Sequence, residues 1–212
     1  MQKNIHRNRN IKHAGKPYLV LLCLLALIGI NGCAQMIGMA IQEPVKQGAE
    51  WSSEGNYSFY VPDNYERDMD WPLVVLCHGE FPDSPKSHIH YWTNRAEAKG
   101  FIVAAPKLRS PHSFNTGNPE SEIKKLREDE RQILAVVKRL RGGYSISEDR
   151  VFIHGWSNGT IAALHTGLKH PDVFRGVSVV QPRFEGRFLA DAANIIDYLQ
   201  PVFVDYGSID SF

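Results

Sequence analysis

Val151–Thr160 reads VFIHGWSNGT. An apolar run meets Gly-x-Ser-x-Gly, and a segment with helical spacing follows, with Ile161, Leu164 and Leu168 on one face before Pro171. Apolar run, tight turn and helix, in that order, decide the fold: they place Ser157 on a strand-to-helix turn. Such a turn presses the strand end against the helix start, so side chains at Gly155 and Gly159 would clash. The serine then faces the first helical amides, which favour negative charge. The plain alternative is a serine that caps the helix. Strand, both glycines and helix agree, and together they favour a nucleophile at Ser157.

Outward from this turn, short apolar runs alternate with longer helical ones. Tyr57–Val61, Pro72–Cys77, Phe101–Ala105, Val151–His154, Val177–Val180 and Val202–Tyr206 read as strands. Several of them are continuously apolar, as strands buried on both faces are. Helices are expected over His90–Lys99, Glu122–Arg141, Gly159–His170 and, more weakly, Leu189–Leu199. Leu126, Ile133, Val137 and Leu140 share one face of the second. Residues 107–120 read as a long polar loop of the kind that often carries function. This alternation predicts an α/β fold, a three-layer sandwich around a mostly parallel sheet with helices on both faces.

The N-terminus is of another kind. Residues 1–18 carry Lys3, Arg7, Arg9, Lys12 and Lys16 and no acid, and Leu19–Ile30 is an apolar run. Twelve helical residues span about 18 Å, short of a bilayer core of about 30 Å. Basic head, short apolar core and small residues describe an export signal over residues 1–32. Gly32-Cys33 resembles the lipobox of bacterial lipoproteins. That resemblance implies cleavage before Cys33, a lipid on its sulfur, and an exported protein anchored to a cell membrane without spanning it. Residues 33–54 read as a tether and 55–212 as the folded domain. Without residues 1–32, 24 Lys and Arg become 19 against 23 Asp and Glu, a net charge of −4 with His neutral. No basic patch argues for a nucleic-acid partner. Past Cys33 only Cys77 remains, so no internal disulfide is expected; Cys77 reads as a buried small hydrophobe.

With the elbow go LVVLCHGE, YWTNRAEAKGFIVAAP and KHPDVFRGVSVV, in that order. Together these segments resemble the α/β-hydrolase family, and most closely its secreted esterase and polyhydroxybutyrate-depolymerase-like branch. The resemblance spans roughly residues 55–210. It implies hydrolysis of a carboxylic ester, on a small or polymeric substrate, through an acyl-serine on Ser157. It also implies an oxyanion hole from the amide of Asn158 and one in the loop at Gly79-Glu80-Phe81. This loop lacks the glycine run of many lipases. No metal or organic cofactor is expected.

The family places the acid and then the histidine after the serine. Asp210 falls at the acid position in PVFVDYGSID, with Asp205 inside the preceding strand. The last of nine histidines is His170, so no triad histidine follows Asp210. The chain therefore reads as an α/β-hydrolase domain incomplete at its C-terminus. Serine peptidase and non-catalytic lipid-anchored protein stay open as alternatives. Of the upstream histidines, His78 is expected to serve loop structure rather than as base, and His154 to pack within its strand. His88 and His90 are expected to be solvated loop residues rather than metal ligands, and His165 and His170 to lie on a helix.

Overall fold

The computed structural model describes residues 56–110, 118–183, 186–189 and 200–207. Its elements run β1 (Tyr57–Tyr60), β2 (Trp71–Cys77), α1 (Pro85–Lys99), β3 (Ile102–Pro106), α2 (Pro119–Gly143) and β4 (Ile146–Trp156). There follow α3 (Gly159–Lys169), β5 (Gly176–Val180), a 3-10 turn at Gly186–Phe188 and β6 (Val202–Asp205). The six strands form one sheet in the order β1-β3-β2-β4-β5-β6. Only β1 is antiparallel to its neighbour; the other pairs are parallel.

Strand periodicity divides the core. Leu73, Val75 and Cys77 of β2, with Ile102 and Ala104 of β3, pack on the face covered by α2 and α3. The intervening Val74, Leu76, Val103 and Ala105 pack with Ile89, Trp92 and Ala96 of α1 on the other face. Period-two alternation in strands buried on both sides thus makes three layers, as the sequence predicts.

Three boundaries differ from the sequence reading. Helix α1 begins at Pro85, five residues before His90. Ser84 caps it, the Ser84 and Ser87 side chains each accept the other's backbone N–H, and Pro85 stands in the first turn. His88 and His90 are therefore helical, and His88 is buried rather than a solvated loop residue. Helix α2 starts at Pro119 behind the Asn118 cap and keeps Gly142 and Gly143 in its last turn. Strand β4 starts at Ile146, which pairs with Trp71 before the register shifts toward Leu73. That shift breaks the alternation by which the strand would be recognised from sequence. Cys33, Asp210, residues 111–117 of the polar loop and most of the expected Leu189–Leu199 helix lie outside the described residues. Among those described, no helix is long and apolar enough to cross a membrane.

The chain moves from β2 outward to β3, then returns to place β4 on the other side of β2. Connections diverge at this point, and a crevice opens outside the carboxyl ends of β2 and β4. Ligand sites of parallel α/β sheets form there.

Candidate active site

Ser157 stands at that crevice, between the end of β4 and the start of α3. Its φ is 50°, the left-handed region that costs a residue with a Cβ. The neighbours hold it there: Ser157 N–H donates to Val180 O of β5 at 3.0 Å, and Ser157 O accepts from Thr160 N–H at 3.0 Å and Thr160 Oγ at 2.5 Å. A Cβ on Gly155 would come within 2.6 Å of Thr160 Cα, and one on Gly159 within 2.3 Å of both Cys77 O and His78 O. The two glycines are therefore steric requirements of the crossing, as read from the sequence. Among the described residues, no group hydrogen-bonds the half-buried Ser157 Oγ.

The loop after β2 faces this turn. A Cβ on Gly79 would lie 3.4 Å from Ser157 Cβ and 3.2 Å from the Trp156 ring. Asn158 Nδ2 donates to Glu80 Oε2 at 3.1 Å, joining turn and loop at the rim. The Gly79 amide, expected as an oxyanion donor, is already engaged: it donates to Asp83 Oδ2 at 2.7 Å. In this structure the hydrogen that would serve an oxyanion is thus spent on that carboxylate. The amides of Glu80 and Phe81 have no protein acceptor among the described residues.

His78 serves loop structure, as expected. Its Nε2 accepts from Leu108 N–H at 3.0 Å, so the proton sits on Nδ1, which donates to Gly79 O at 2.8 Å. Both ring nitrogens are thus bonded to main chain, and the imidazole ties the ends of β2 and β3 together. Asp129 of α2, itself buried, takes the next two amides, Arg109 N–H and Ser110 N–H, each at 2.8 Å. Burial raises the Asp129 carboxyl against the pull of those donors. His154 packs in its strand, with Nδ1 3.2 Å from Ser178 Oγ. Burial, with the charges of His88 and Arg95, lowers its pKa to about 3, so it is neutral near pH 7. Cys77 is buried, and burial raises its thiol pKa. His165 and His170 meet Glu130 of α2, with Nε2 atoms 2.9 Å and 2.8 Å from its oxygens. Among the described residues no His, Cys, Asp and Glu cluster suits a metal.

Sequence reasoning missed two features. Asp83 is one; Ser84-Pro85-x-Ser87 was the available signal, as a helix start that places the preceding residue under the first turn. Gln181 is the other. It follows β5 directly, with φ 50°, and gives its N–H to Asp205 O at 2.8 Å. No residue type announces that conformation.

A serine on a strained strand-to-helix turn, at the switch point of a parallel sheet covered on both faces, is the arrangement of the α/β-hydrolase fold. Residues 87–208 match the Prolyl oligopeptidase family, and the chain belongs to that family. No curated protein matches it in sequence. Among solved structures it resembles a protein of Bacteroides ovatus described as a dipeptidyl aminopeptidase IV, at 19% identity and TM-score 0.54, over 71% of this chain and 25% of that one. It also resembles the feruloyl esterase module from Clostridium thermocellum, solved as a serine-to-alanine mutant with sinapinate. That likeness has 15% identity and TM-score 0.53, over 79% of this chain and 70% of the module. The chain thus spans a quarter of the length of the first.

Proposed function

We propose that the chain hydrolyses carboxylic esters through an acyl-serine on Ser157. One observation carries the assignment: Ser157 is held at φ 50° by bonds from β5 and α3, at the switch point of the sheet. In this reading Oγ bonds to the ester carbonyl carbon, the alcohol leaves with a proton, and water then releases the acid and restores the hydroxyl. The oxyanion lies at the start of α3, stabilised by the Asn158 amide and by the Glu80 amide in place of Gly79. Asp210 is retained as the acid that would orient a histidine. The likeness in extent to the feruloyl esterase module supports ester over amide. Family membership favours the second reading, a peptidase acting through the same serine.

A serine-directed fluorophosphonate probe tests the nucleophile: labelling should occur and be lost in Ser157→Ala. Labelling that persists in that variant would sink the assignment. A panel of p-nitrophenyl esters and aminoacyl amides tests the substrate, and cleavage of amides alone would overturn the ester reading. Export with a lipid on Cys33 is proposed from the basic head, apolar run and Gly32-Cys33. Mass spectrometry of the native N-terminus should find a modified Cys33 as the first residue, and a free thiol there would rule the lipid out.

A further inference from the structure

Behind the loop that faces Ser157 lies a buried carboxylate–imidazole pair with no part in the chemistry above. Asp83 and His88 have side chains only 6% exposed. Asp83 Oδ2 accepts from Gly79 N–H at 2.7 Å and His88 Nδ1–H at 3.1 Å. Oδ1 accepts from Ser84 N–H at 2.8 Å and Ser87 Oγ–H at 2.9 Å. One carboxylate thus gathers the end of β2 and the start of α1. Burial would raise its pKa, but His88, Gly79 and Ser87 outweigh that and hold it far below the usual carboxylate range.

Such a pair is a poor device for stability. Desolvating a carboxylate and an imidazole offsets most of what their hydrogen bond gains, and well-packed apolar side chains do as well or better. Here the cost is higher still, because His88 Nε2 is buried with no hydrogen-bond partner among the described residues. Apolar packing could not, however, orient a peptide plane. Asp83 grips the N–H of the His78–Gly79 peptide, and a Cβ on Gly79 would lie 3.4 Å from Ser157 Cβ. The next peptide plane, which carries Gly79 O and Glu80 N–H, is held by His78 Nδ1–H, so Asp83 on one side of Gly79 and His78 on the other together set where the Glu80 amide is aimed. A displacement of about 1 Å at a reacting centre can cost about a hundredfold in rate.

We propose that Asp83, seated by His88, is a positioning residue: together with His78, it fixes the Gly79-Glu80 peptides against Ser157 for the acyl-transfer step. The role rests on Ser157 being the nucleophile. Asp83 touches no substrate and acts through the main chain of the loop.

The test resolves fluorophosphonate labelling of the full chain into kinact and KI, with the labelled fraction at completion and the Tm. Asp83→Asn keeps an acceptor for Ser84 and Ser87 but turns an amide nitrogen toward Gly79 N–H. Its kinact should fall about tenfold or more, up to the roughly hundred- to thousandfold of losing an oxyanion donor outright, with KI and labelled fraction unchanged. His88→Asn restores a donor near the Nδ1 position and should label at close to the unchanged rate. His88→Leu removes the donor and should behave as Asp83→Asn does. If Asp83→Asn does not fold, the contrast between the two His88 variants carries the test. Unchanged kinact with a lower Tm or labelled fraction would reduce the pair to scaffold and overturn the proposal alone. Absence of labelling at Ser157 in the unchanged chain would bring down the nucleophile assignment, and this proposal with it.

Discussion

The turn at Gly155–Thr160 and the loop at His78–Ser87 meet across one crevice, yet they are held by different physics. The turn is fixed by steric fit and main-chain bonds. Gly155 and Gly159 let β4 and α3 touch, and Val180 and Thr160 clamp Ser157 from either side. No charged side chain is needed. The loop is fixed by a buried carboxylate that collects donors from Gly79, Ser84, Ser87 and His88, and by His78 bridging to Leu108. Steric fit tolerates no added atom; a polar clamp tolerates shape changes but not the loss of an acceptor. The two regions should therefore fail differently.

The largest effect is expected at the turn. In Gly159→Ala the new methyl meets two carbonyl oxygens at 2.3 Å, both main chain and neither able to swing aside. We expect a loss of about 3 kcal/mol or more in urea unfolding, or no folded protein. A variant within about 1 kcal/mol of the parent would show that the crossing can relax, and the contrast would weaken.

Next comes the polar side. Asp129→Ala strips the acceptor from Arg109 N–H and Ser110 N–H, which follow the amide held by His78. An orphaned buried donor costs about 1–3 kcal/mol, and of the two only Ser110 N–H is fully buried, so a loss of about 2–3 kcal/mol is expected in the same measurement. Protection of 107–110 from hydrogen exchange should fall, while that of the turn stays. Loss of protection at both would mean that the two regions are one cooperative unit.

The same contrast explains what could be read in advance. Turn, strands and both glycines were legible because steric and hydrophobic requirements act between residues close in sequence, or repeat at fixed periods. The carboxylate clamps were not. Asp129 reaches a loop twenty residues earlier, and Asp83 looks like any loop acid until Ser84 and Pro85 are read as a helix start. Gly79 shows the limit most clearly: its place beside Ser157 was foreseen, but the direction of its N–H depends on a side chain four residues on.

A pH experiment probes a polar clamp away from the crevice. Glu130 receives Lys169 Nζ–H at 2.8 Å and faces His165 and His170, tying α2 to α3. Burial would raise its pKa, but these three partners lower it to about 2, against 4.5 ordinarily. Between those values the unfolded chain binds the proton and the folded one does not, so stability rises with pH across that window. The contribution is complete above about pH 4.5 and lost as pH falls toward 2. Glu130→Gln should flatten this part of the stability profile, and an unaltered slope would show that the cluster does not hold the helices.

The smallest effect tests whether turn and loop are coupled where they meet. The bond from Asn158 Nδ2 to Glu80 Oε2, at 3.1 Å, joins them at the rim, and it is exposed. Solvent competes for both groups, so a double-mutant cycle of Asn158→Ala and Glu80→Gln should give a coupling of about 0.5 kcal/mol or less. Each region would then carry its own geometry, and the rim bond would serve only to set the width of the opening. A coupling above about 1.5 kcal/mol would contradict this, because it would require the loop to lean on the turn through Glu80. Asp83 would then be sharing its task, and its substitution should cost correspondingly less in labelling rate.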